Sequence, residues 1–74
     1  MEQSRNVDLV TWFVLEGIAL ARELEDNPSP RARAQIEGRI EAHVRAARRV
    51  CGVPVGAEVL NAIRASAPDL PVLA

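Results

Sequence analysis

Seventy-four residues, a formal net charge of −1 and one cysteine exclude a good deal. The chain reads as one domain (1–74), at a size where a core is marginal without a staple or a partner, and no intramolecular disulfide can form. Its near-neutral balance speaks against a general nucleic-acid coat, and Cys51 with the lone His43 cannot complete a zinc site, so no metal or cofactor is expected.

The first element is a helix from about residue 7 to 25, with Asn6 as N-cap and Asp8 in the first turn, where the helix dipole favours an anion. Asn27-Pro28 stops it, because the residue before a proline is pushed out of the α region. Ser29 then caps a second helix, about 30 to 51, with Pro30 at its first position. Gly52 reads as a left-handed cap at its end. The run Val53-Pro54-Val55-Gly56 reads as a connector, and a short third helix covers about 57 to 67 before Pro68. The tail Asp69-Leu70-Pro71-Val72-Leu73-Ala74 is apolar and broken by proline, hence extended. The fold class is therefore all-α: an antiparallel helical hairpin, a short third helix and an extended apolar tail. No internal repeat or domain boundary is visible.

Charge is partitioned around the turn. The first helix is acidic and the second, whose cations are all arginine, is basic, so the two arms attract each other. Glu23, Glu25 and Asp26 crowd one helix C-terminus, and Arg31 and Arg33 open the next helix, both against the dipole. Ion pairing across the turn is the expected compensation.

At 100° per residue, Ala32, Ile36, Ile40, His43, Val44, Ala47, Val50 and Cys51 make one core-facing stripe on the second helix. The first helix is broader. Its main apolar face includes Leu9, Phe13, Gly17 and Leu20, and Trp12, Leu15 and Ala19 make a second strip beside Asp8, Glu16 and Glu23. One neighbouring helix cannot cover both. Each exposed residue of leucine size forgoes about 1.5–3 kcal/mol of burial, so either the tail residues Leu70, Val72 and Leu73 fold back over the second strip or a partner does. The expectation is a two-fold homodimer through Leu9, Phe13, Gly17 and Leu20, since closed dimers are the commonest oligomers. A protein target then docks on Trp12, Leu15, Ala19 and Glu16, an aromatic anchor with a polar rim.

Catalysis finds little support. His43 and Cys51 are eight residues apart on one helix, about 12 Å along its axis and beyond hydrogen-bond reach. Glu37 and Glu41 are flanked by Arg33 and Arg45 at helical spacing, an ion-pair face. Residues 52–56 lack the Gly-Lys-Ser/Thr ending of a phosphate loop. A helix-turn-helix around Gly52 fails because the following helix offers only Asn61 and Arg64 to bases. The alternative site is a small-anion or nucleotide surface on Arg31, Arg39, Arg45 and Arg49, since guanidinium forks suit phosphate and carboxylate. The segment from Leu24 to Ala42 resembles the helical hairpins of phage anti-defence proteins that sequester cyclic nucleotides. The tyrosine, tryptophan and lysine pattern of those hairpins is missing here, and no family is assigned from the resemblance.

Leu9 to Ala21 is interrupted by Glu16 and shorter than the ~20 residues that span a bilayer. Its polar side carries acids where a membrane-surface helix wants Lys or Arg. A lone thiol and the absence of a positively charged leader fit a cytoplasmic setting. The expected function is a non-catalytic cytoplasmic regulator or adaptor that binds itself and a protein target, without membrane and without nucleic acid.

Overall fold

Three helices make up the computed structural model, which describes residues 2–27, 29–68 and 70, with side chains from Asp8 onward. They are α1 (Glu2–Asp26), α2 (Pro30–Cys51) and α3 (Val53–Ser66). No strand occurs among the described residues.

Helix α1 starts well before the cap expected at Asn6. Nothing in Glu2-Gln3-Ser4-Arg5 breaks a helix, and an asparagine in a helix interior costs only a fraction of a kcal/mol. Asp8 therefore lies beyond the first turn. The joint with α2 is built as its residues dictate. Asn27 accepts a hydrogen bond on Oδ1 from the Ser29 N–H at 3.2 Å. Ser29, at φ −79° and ψ 121°, caps α2 by accepting from the Ala32 N–H at 3.4 Å.

The expected connector at 53–56 is instead the first turn of α3. Pro54 reads as a breaker from either side, yet the first turn of a helix has no internal use for its missing N–H. The joint shrinks to Gly52 alone. Its N–H donates to Arg48 O at 2.9 Å and closes α2, and its carbonyl accepts from the Gly56 N–H at 3.1 Å and opens α3. Gly52 has φ 100° and ψ 164°. That is not the left-handed helical cap expected but an extended positive-φ region that is essentially glycine's alone.

The buried apolar residues form one cluster drawn from all three helices. Phe13, Leu20, Ala21 and Leu24 come from α1, Ile36, Ile40, Val44 and Ala47 from α2, and Val59 and Ile63 from α3; Ala67 and Leu70 close one end. Among the described residues no polar or charged one is buried. Two glycines mark where α3 comes closest. A Cβ on Gly17 would stand 3.0 Å from Ile63 Cγ1, and one on Gly56 would stand 3.0 Å from Arg48 Cβ and 3.3 Å from Arg48 Cα. Helix α3 thus covers one side of α1 and α2 and leaves the other bare. Val50, expected in the core stripe, is 59% exposed, because it stands on the last turn of α2 and lines an open cleft there with Leu9, Val10, Cys51 and Val55. Of the tail, Leu70 is buried and its N–H donates to Ala67 O at 3.1 Å; Val72 and Leu73 lie outside the described residues.

Compensation at the α1–α2 joint takes another form than the carboxylate pairs expected. Arg33 donates from Nη1 to Leu24 O at 3.4 Å, so a cation from α2 shares with the Asn27 N–H (3.2 Å) a carbonyl at the end of α1, a helix with no basic residue in its own last turn. Glu23 pairs further along, with Arg39 at 3.3 Å. Neither Glu25 nor Asp26 forms an ion pair among the described residues. Replacing Arg33 by alanine is expected to cost about 0.5–1 kcal/mol, read as a fall of a few degrees in melting temperature. Neutralising Glu25 and Asp26 together should leave it unchanged or slightly higher.

Candidate protein-docking face

The second strip of α1 is bare. Trp12 is 51% exposed and Leu15 59% exposed, and Glu16 and Ala19 are exposed beside them. Leu70, the one tail residue described with its burial, lies in the core.

Trp12 is nonetheless held from behind. Its ring meets Phe13 edge-on, with centroids 5.0 Å apart and planes at 76°. The His43 ring lies 5.7 Å away on α2, and His43 and Phe13 are 5.2 Å apart. Aromatic pairs in this range contribute about 0.5–1.5 kcal/mol beyond burial. His43 Nε2 is 2.7 Å from Phe13 O. A carbonyl only accepts, so Nε2 carries the proton and donates. The histidine is half-buried and acts as a brace between α2 and the aromatic pair of α1. His43 and Cys51 stand eight residues apart on α2, about 12 Å along its axis.

The remaining expected site residues divide. Phe13, Gly17 and Leu20 are buried inside the chain's own core, with α3 against Gly17, so of the four residues assigned to a dimer interface only Leu9 is presented outward. The small-residue spacing of Gly17 and Ala21 serves a helix crossing within the chain. Of the arginine set, Arg31 and Arg49 are exposed without a carboxylate among the described residues. Arg39 holds Glu23, and Arg45 holds Glu41 at 2.6 Å, four residues back on α2. Half the guanidinium groups of the proposed anion surface already have an anion. Arg33 bonds a backbone carbonyl rather than Glu37.

Two features escaped the sequence. Gly38, Ala42 and Ala46 are exposed on α2, extending the bare surface from α1 across the second helix. At the far end of the helices, Leu9, Val10, Val50, Cys51 and Val55 line a cleft of about 310 Å³, with Val53 exposed at 66% nearby in sequence. Among the described residues no cluster of His, Cys, Asp or Glu could hold a metal ion, and no helix is long and apolar enough to cross a membrane. The chain matches no family model, no curated protein and no solved structure.

Proposed function

We propose that this protein is a non-catalytic regulator or adaptor of the cytosol, whose first two helices form an antiparallel hairpin that docks another polypeptide. The observation that carries the reading is Trp12: half its surface is open to solvent, while Phe13 and His43 fix the ring from behind. An exposed aromatic that is already immobilised loses little further freedom when a partner covers it, and tryptophan is among the residues that most often dominate interface energetics. Leu15 and Ala19 extend the apolar contact, and Glu16 supplies a polar rim. The action is steric, through occupation of the partner's surface.

Affinity capture from the native cell extract with Trp12→Ser and Leu15→Ser beside the wild type tests this. Loss of a hot-spot side chain costs about 2 kcal/mol or more, roughly thirtyfold in affinity, so proteins retained by the wild type should be lost with both variants. An identical retained set overturns the reading. Leu15→Ser is the control for folding, since Leu15 is mostly exposed and absent from the buried cluster.

A further inference from the structure

The bare face is divided by charge, and the division is self-complementary. Its α1 half carries the exposed acids Asp8, Glu16 and Asp26, and its α2 half the exposed cations Arg31 and Arg49, with Arg45 already paired to Glu41. Apolar and small residues lie between them: Trp12 and Ala19 on α1, Ala42 and Ala46 on α2.

We propose that the polypeptide seated on this face is a second copy of the chain, related by a two-fold axis running along the helices, so that α1 of each copy lies on α2 of the other. The inference rests on the docking reading above and gives it a partner. A face-to-face pair of helix layers has two closed arrangements, since the axis lies in the interface either along the helices or across them. An axis across the helices lays α1 on α1 and α2 on α2, acid on acid and arginine on arginine. Like charges brought together at an interface cost heavily. An axis along them lays acid on arginine twice over.

The same axis preserves height along the bundle, which fixes the register. Within one chain, Leu24 stands beside Arg33 and Phe13 beside His43, so height on α1 maps onto α2 in reverse order. Each α1 residue therefore meets on the partner the level of α2 that it already neighbours at home. Asp8 reaches the level of the partner's Arg49, and Asp26 that of the partner's Arg31. Trp12 comes to the level between Ala42 and Ala46, where short side chains leave room for an indole. The bulkiest exposed ring thus meets a shallow part of the opposing helix, and Asp8 and Asp26 meet their opposites.

Sedimentation equilibrium over a concentration series is the test. The wild type should run at twice the chain mass of 8.0 kDa. Asp8→Arg with Asp26→Arg makes both halves of the face basic, and Arg31→Glu with Arg49→Glu makes both acidic. All four positions are exposed, and circular dichroism verifies that helix content is kept. Each double variant alone should self-associate about a hundredfold more weakly, and an equimolar mixture of the two should recover the dimer. A wild type that stays monomeric at high micromolar concentration overturns the proposal, and so do double variants that dimerise alone as well as the wild type does. The docking reading fails separately. Capture that depends on Trp12, found with a monomeric wild type, sinks the second copy and keeps the docking face. Capture indifferent to Trp12 sinks the docking face itself.

Discussion

Truncation of Ile40 to alanine will lower the unfolding free energy by about 2–5 kcal/mol. Ile40 has no exposed surface and sits midway along α2 in the one buried cluster. The change removes three carbons and leaves a void lined by residues whose helices are fixed by their other contacts, so the cavity can collapse only in part. In a domain of this length each kcal/mol is worth about 4–8 °C, and the fall should exceed 10 °C in a thermal melt followed by circular dichroism. A small domain holds only a few kcal/mol in reserve, so Ile40→Ala should be substantially unfolded at 37 °C. The matching change at Leu15, 59% exposed in the single chain, should cost the monomer no more than about 0.5 kcal/mol. A comparable loss at both positions would mean that Leu15 is covered, as it is when a second chain is bound.

The second large effect is expected at Gly56. An added Cβ would stand 3.0 Å from Arg48 Cβ, 3.3 Å from its Cα and 3.4 Å from its N, and two of those three atoms are backbone. No side-chain rotation relieves that contact, so α3 must move off α2. Gly56→Ala is expected to destabilise by about 1–3 kcal/mol despite alanine's better helix propensity, and Gly56→Val by more. Gly38→Ala is the opposite case. Nothing lies within 4 Å of a Cβ built there, and the substitution should stabilise the isolated chain by about 0.5–1 kcal/mol. The same mutation on one scaffold then gives opposite signs, set by distance to the neighbouring helix. Equal shifts in the two melting temperatures would refute the close packing of α3.

Where sequence was sufficient, the information was local. Ser29 and Pro30 specify the start of α2 through one side-chain hydrogen bond and one fixed φ, and the structure has both. The second strip of α1 was visible in the spacing of Trp12, Leu15 and Ala19, because no residue nearby could cover them. What sequence did not disclose depended on α3. Pro54 signals a break wherever it stands, and only the pairing of Gly52 and Gly56 across it shows that the helix begins earlier. Gly17 looked like a contact for another chain because the approach of Ile63, which fills that space, has no trace in the pattern around Gly17. Val50 shares a helical stripe with Val44 and Ala47, and only the placement of α3 decides that one end of the stripe is uncovered. His43 was assigned to the core; its role as a brace depends on Phe13 O, thirty residues away.

The single residue between α2 and α3 has a consequence for how the chain tolerates change in length. Asn27 and Ser29 both stand outside the helices, and residues added at that joint only enlarge a loop, at about 0.6 kcal/mol per doubling. At Gly52 there is no slack to enlarge. Its N–H and its carbonyl are committed to two different helices, and its dihedral angles suit no other residue. One inserted residue must undo the last bond of α2, the first bond of α3, or both. A tag, a graft or a new pair of termini therefore belongs between the first two helices, and lineages descending from this chain should vary in length there while holding the second joint at one glycine.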